Sequence, residues 1–391
     1  MSARSDRLFT SAFLALTLSE LAYFTAGGLI IGVTPFFVTG PLGSDEAGLG
    51  LVAGAFGVTT LLLRPYAGRL SDRRGRRPLL IGGALLCAAV VLAHVAVTDV
   101  VATVGLRLLL GVAEAFYFVA GYAALADLAP PGRTGEALSY NSLALYLGIA
   151  LGPFVGQLLL DAGGFGVAWA GGAALALLAA LLALRVPETA EGLERAADDG
   201  PAPLFHRAAV GPGLALFTGV AAMSGFLLLV GPQAERLGVD SWSVTFLVFG
   251  SVVVIFRVAF ARLPDRVPPM RLGAAALGLC GLGLVIASLA PGIGGLLAGT
   301  AALAAGVAFM TPALFAATFA RVHPSERGSA AATGTIFIDL GFSGGPLFVG
   351  FVAASIGIPA AFGAAAIVAL TGAAATLLAS SRGAPEAARS A

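Results

Sequence analysis

The sequence of 391 residues predicts an all-α membrane protein with twelve spanning helices, built as two six-helix bundles related by duplication in parallel orientation. Three observations carry that expectation. Hydrophobic residues make up 58% of the chain and charged ones 11%, with a mean hydropathy of +0.95, and apolar stretches repeatedly exceed the roughly 18 residues that cross a bilayer. All 22 basic residues are arginine, and they sort by connection. The chain also matches itself without gaps at an offset of 193 residues, the separation of Arg64 and Arg257.

Charges, prolines and glycines bound the apolar stretches. The first runs from about 8 to 38 behind Arg4 and Arg7; it continues past the length of a signal peptide and contains Glu20, so it reads as the first span. The second and third, 47 to 69 and 78 to 98, flank the cationic segment Gly68-Arg69-Leu70-Ser71-Asp72-Arg73-Arg74-Gly75-Arg76-Arg77-Pro78. That segment reads as a tight cytoplasmic loop in which Gly68 and Gly75 supply the bends. The fourth to sixth lie near 100 to 127, 136 to 160 and 165 to 185, and the second half supplies 209 to 231, 242 to 262, 270 to 290, 293 to 320, 328 to 354 and 357 to 380. Domain boundaries follow: 1–186, a polar acidic linker 187–208 read as a solvated face, and 209–391.

Outside the spans, every arginine but one lies at the termini or in an even-numbered connection; Arg236 alone falls in an odd-numbered one. Positive charge stays cytoplasmic, so both termini are expected on that side. The loop reading accounts for the arginine cluster without nucleic acid. Cys87 and Cys280 lie in predicted helices without metal or disulfide spacing, and no cofactor is implied. The abundance of Ala, Gly and Arg without lysine points to a GC-rich bacterial genome, hence an inner membrane.

The duplication pairs Arg69 with Arg262, Asp72 with Asp265, Cys87 with Cys280, Pro131 with Pro324, Gly148 with Gly341 and Pro153 with Pro346. Duplicated helical transporters place their substrate near the bilayer midplane between halves that rock about it.

An ionised side chain at the centre of a spanning helix costs about 2.5–3.5 kcal/mol, which makes each one a functional candidate. Four stand out: Glu20, Arg107, Glu114 and Asp339. Arg107 and Glu114 are two turns apart on one face with Gly111 between them. A fixed cation beside carboxylates that can be neutralised supplies the parts for proton coupling. Tyr117, Tyr140, Asn141 and Phe226, with Glu20, are candidates for lining a substrate pocket, and Tyr122 and Tyr146 extend that set. Asp72, Arg76 and Asp127 should meet at the cytoplasmic surface as a charge network that latches the inner gate, with Arg64 and Arg69 as further members. Gly148, Gly152 and Gly156 form a stripe for close helix approach, and Pro153 permits a bend. His94 and His206 are expected at the membrane interface.

The pattern of Gly68, Leu70, Asp72, Arg73, Gly75 and Arg76 resembles the loop signature of the major facilitator superfamily. Arg107 with Gly111 is similar to a second family motif whose arginine is buried and linked to proton coupling, and residues 148–156 resemble the fifth-helix signature of the drug/proton antiporter branch. The resemblance covers essentially the whole chain. In the second half Pro264, Val267, Pro268 and Pro269 replace the loop's polar and glycine positions, and Thr300 stands where Arg107 does.

The resemblance implies a monomeric, proton-coupled exporter of a small organic solute, working by alternating access, with a first helix that lines the cavity. A proton-driven importer and a lipid or lysolipid flippase are the alternatives within transport. Outside it stand a membrane sensor and an intramembrane serine hydrolase, the latter from Gly341-Phe342-Ser343-Gly344-Gly345.

Overall fold

A computed structural model describes residues 8–130, 133–189, 206–260, 263–323 and 327–382, leaving aside the side chains of 134–136, 138–141, 264–265 and 327–329. Tyr140, Asn141 and Asp265 therefore lie outside the described side chains.

Among the described residues all regular secondary structure is helical. In chain order they form α1 (Ser11–Thr39), α2 (Glu46–Arg74), α3 (Arg76–Ala93) with a 3-10 turn at His94–Ala96, α4 (Val100–Leu128), α5 (Thr134–Ala183), α6 (Arg207–Arg236), α7 (Val244–Ala259), the short α8 (Leu263–Arg266), α9 (Pro269–Ser288), α10 (Ile293–Phe319), α11 (Arg327–Ile356) and α12 (Ile358–Arg382). Among these, ten helices are long and apolar enough to cross a membrane, and α7 is a shorter apolar helix of 16 residues. Their outer faces fit that medium: Leu62, Val101 and Phe351 are exposed by 70%, 81% and 68%, positions hydrocarbon would cover.

Helix ends follow local chemistry. Thr10 and Asp99 accept hydrogen bonds from the backbone N–H groups of Phe13 and Ala102, capping α1 and α4. Within α5 the backbone leaves helical geometry at Gly163 and at Gly164, where φ is +74°, so the 50-residue element is two rods meeting at a kink. The expected loop between the second and third spans is far shorter than the sequence suggests. α2 continues through Asp72 to Arg74 and α3 begins at Arg76, so Gly75 alone makes the turn, at φ +98° and ψ 160°. Only glycine occupies that region comfortably. Gly68, expected to bend the loop, instead lies inside α2 with open space beside it.

The chain divides into two compact units, one within residues 1–43 and 55–200 and the other within 44–54 and 201–391. In the first unit α1 crosses α5. A Cβ on Gly152 would stand 2.6 Å from the Gly28 carbonyl carbon and closer still to Thr25 O and Leu29 N, while Gly148 faces Phe24 and Thr25 and Gly156 faces Val33 and Leu29. Membrane helices gain little from hydrophobicity against one another, so contact this close is how they associate.

The second unit repeats the crossing. Gly341 and Gly345 of α11 meet Ala221 of α6, which stands at the offset of 193 from Gly28 just as they stand from Gly148 and Gly152. Gly83 against Ala113 recurs in the same register as Ala276 against Gly306. The duplication seen in sequence is thus a duplication of packing. Accordingly α1 and α6, the first helices of the two repeats, are the most buried spans, at 78% and 83% of their apolar windows.

The first turns of α2 belong to the second unit, where Gly50 packs on Pro346 and Gly350 of α11. There Glu46 accepts a hydrogen bond from Arg236 at 2.5 Å, giving a partner to the one arginine that departs from the loop pattern.

Candidate functional site

In the first unit, α1, α3 and α4 enclose a cluster of ionisable and hydroxyl-bearing side chains. Glu20 is only 2% exposed, and its carboxylate lies against Gly121 of α4, where a Cβ would stand 2.7 Å from Oε1. Tyr23, one turn on, stacks on Tyr117 with ring centroids 3.8 Å apart and planes 4° from parallel. The Ser19 hydroxyl donates to Ala179 O at 2.7 Å, so in its 2.7 Å bond with Tyr117 the tyrosine is the donor. Tyr23 in turn is within hydrogen-bond reach of Glu114, a half-buried carboxylate, and of the buried Cys87 thiol. Two carboxylates from different helices therefore border one pair of stacked phenols.

Arg107 lies on the same face of α4 as Glu114 but is not joined to it. Its guanidinium, 6% exposed, donates to Thr34 Oγ1 at 3.1 Å, and the Thr34 hydroxyl in turn donates to Ile30 O. Gly111, expected to clear space between the two charges, instead admits α2: a Cβ there would press on Phe56 O and Thr59.

Several of the expected pocket residues are buried. Phe226 is fully buried with its ring 5.0 Å from Phe362, and Tyr117 is fully buried in the stack, so neither presents a wall to solvent. Tyr122 stacks on Phe118, and Tyr146 is buried. Asp339 is buried in α11 at 2% exposure. One turn on, Ser343 donates its hydroxyl to the Asp339 carbonyl oxygen within an unbroken helix, an arrangement with no elbow and none of the geometry of a nucleophile. His94, expected at the interface, is 1% exposed, whereas His206 caps α6 by accepting from Ala208 N.

The second constellation surrounds Gly75. Arg76, buried, donates to Asp72 at 2.5 Å and more weakly to Ser71 at 3.3 Å and Asp127 at 3.4 Å. The Arg64 guanidinium lies over the Phe118 ring at 4.7 Å. Arg69 is exposed. Glu188, read from the sequence as part of a solvated acidic linker, accepts from the backbone N–H groups of Arg76 at 2.8 Å and Arg77 at 3.2 Å, and so caps α3 from beyond α5. Thr189 donates to Asp127 at 2.8 Å. The network joins α2, α3, α4 and residues 188–189 within one unit.

Gly75→Ala should expose this dependence. It forces an alanine into a glycine-only backbone region, at about 1–3 kcal/mol, and its methyl would occupy the place of the Glu188 carboxylate. A fall of several degrees in the unfolding midpoint of the detergent-solubilised protein is expected, and an unchanged midpoint would count against the cap.

The signals for the residues missed were local. Tyr23 lies one turn from Glu20 on its helix face and Ser19 one turn before Tyr23, and Glu188 follows a proline at the foot of α5. The spacing of Cys87 excludes a metal site but says nothing of a hydrogen-bonding role.

Residues 16–294 match the family described as Major Facilitator Superfamily. An uncharacterized MFS-type transporter of Salmonella typhimurium is 29% identical over 374 residues, covering 90% of this chain and 92% of its own. Another, from Burkholderia pseudomallei, is 30% identical over 380 residues, covering 90% and 88%. Among solved structures the fold is similar to a bacterial homolog of the human lysosomal transporter Spinster, with a TM-score of 0.78 at 17% identity over 94% of this chain and 96% of that one. It is also similar to the human organic anion transporter MFSD10 (TETRAN), with a TM-score of 0.72 at 20% identity over 94% and 99%. An all-helical chain of repeated packing, a glycine-turned arginine motif and family similarity over most of its length agree: this protein is a multi-pass membrane transporter, not an enzyme, and belongs to the Major Facilitator Superfamily.

Proposed function

We propose that the protein is a proton-coupled secondary transporter of the drug/proton antiporter branch, exporting a small organic solute by alternating access. The observation that carries this reading is the pair of carboxylates, Glu20 and Glu114, bordering the Tyr23–Tyr117 stack inside the first unit. A carboxylate withdrawn from water is stabilised by taking up a proton, and restored access to water releases it. In this reading the half-buried Glu114 exchanges its proton with water, and the nearly closed-off Glu20 holds it. Arg107 supplies a fixed positive charge on the same helix, and Asp339 is the buried carboxylate of the second unit.

In this reading α5 crosses twice, because a 50-residue helix would be about 75 Å long against roughly 30 Å of hydrocarbon. With α7 as a short span the total is twelve, in two repeats of six, and both termini are cytoplasmic at the inner membrane of a bacterium. The protein works as a monomer.

Transport in proteoliposomes under an imposed pH gradient, screened over a panel of solutes, tests the reading. Solute flux that reverses when the gradient is reversed is the expected result. Flux indifferent to the gradient would remove proton coupling, and accumulation in the same direction as proton entry would favour the importer.

A further inference from the structure

Apart from the carboxylate cluster, the first unit buries a second polar group that the proposed transport step does not use. His94 follows α3, Arg107 lies in α4 and Trp169 in the second rod of α5, with exposures of 1%, 6% and 0%. The His94 and Trp169 rings are 4.8 Å apart at 38°, and Trp169 also meets Phe37 of α1 edge-on at 5.4 Å, one turn from the Thr34 hydroxyl that Arg107 contacts. Each side chain has a buried nitrogen with no hydrogen-bond partner among the described residues: His94 Nε2, Arg107 Nε and Trp169 Nε1. Such atoms are uncommon in native interiors and call for a physical account.

Donor and acceptor roles narrow what they can hold. His94 Nδ1 is 2.9 Å from Val90 O, and a carbonyl only accepts, so Nδ1 carries the hydrogen. In the neutral ring Nε2 is then a lone pair. Arg107 Nε and Trp169 Nε1 are always donors. One acceptor beside two donors matches a molecule that both donates and accepts. It does not match an anion, which a lone pair would repel.

We propose that His94, Arg107 and Trp169 together bind a single water molecule. It donates to His94 Nε2 and accepts from Arg107 Nε–H and Trp169 Nε1–H, the usual number of about three bonds for a buried water. His94 is then a positioning residue for Arg107: Thr34 holds one side of the guanidinium and the water holds the other. The guanidinium is thereby oriented by neutral groups.

The chain has three histidines, and His206→Asn with His323→Gln leaves His94 alone for 15N-histidine labelling in bilayers. Asparagine keeps the cap of α6. Solid-state NMR from about pH 5 to about pH 8, where an ordinary histidine titrates, should show one neutral ring protonated at Nδ1 throughout. Its Nε2 resonance should be displaced as a hydrogen-bond acceptor and receive magnetisation from water, and Trp169→Phe should weaken that transfer. The same resonance in the labelled wild-type protein guards against an effect of the background substitutions. A ring protonated at Nε2, or an Nε2 resonance without contact to water, overturns the proposal. So does an imidazolium that appears with chloride and vanishes with gluconate, which would make the site an anion site.

Discussion

Glu20→Gln should abolish accumulation of substrate against its gradient while leaving exchange of substrate for substrate intact. The glutamine is a permanent copy of the protonated carboxyl, so it fits the same buried place against Gly121 but carries nothing across. Because a buried charge costs about 2.5–3.5 kcal/mol at a helix centre, removing it does not threaten insertion. The protein should reach the membrane at the wild-type level. Uphill transport should fall at least about tenfold, equivalent to about 1.4 kcal/mol of lost coupling. Accumulation at the wild-type level would disqualify Glu20 as the obligatory carrier and move the same comparison to Glu114, whose link to Tyr23 makes it the next in line.

The largest effect on stability is expected from Gly152→Val. A Cβ there meets backbone, the Leu29 nitrogen and the Thr25 and Gly28 carbonyl groups, and backbone cannot rotate aside as a side chain can. Overpacking of cores typically costs about 1–3 kcal/mol where side chains can yield, and this site lacks that relief. Loss of the monodisperse folded protein in detergent is the expected outcome. Gly105→Ala in α4, where a Cβ meets nothing within 4 Å, is the matched control and should leave the unfolding midpoint unchanged. If both variants behave like wild type, the α1–α5 crossing is looser than its geometry implies.

Much of this architecture is legible in the sequence because membrane insertion imposes strong, local rules. Span existence follows from apolar length, and the duplicated packing follows from glycines and prolines that recur in register, as Gly152 and Gly345 do. Turn geometry is less legible. Gly68 and Gly75 look alike in the sequence, yet helix continuation through Ser71–Arg74 leaves the bend to one of them alone. The carboxylates Glu20 and Asp339 stand out as buried ions by their surroundings. Their partners do not, since Tyr23, Thr34 and Cys87 are ordinary residues in apolar helices until α1, α3 and α4 are placed side by side. Aromatic residues are hard to read for the same reason: Phe226 is as suited to a core as to a pocket, and the sequence does not show its contact with Phe362.

The cap on α3 bears on how the gene can be divided. The carboxylate that closes the start of α3 is encoded more than a hundred codons later, beyond the last helix of the same unit. A pair of coexpressed fragments cut immediately after codon 186, where the helices alone would place the boundary, delivers a first fragment whose third helix begins with uncapped amides beside a glycine turn. Moving the cut past codon 189 restores both Glu188 and Thr189 to the fragment that needs them. Reassembly of the two pairs, compared at equal expression, converts three residues of apparent linker into a difference between a stable fragment and one cleared by proteases.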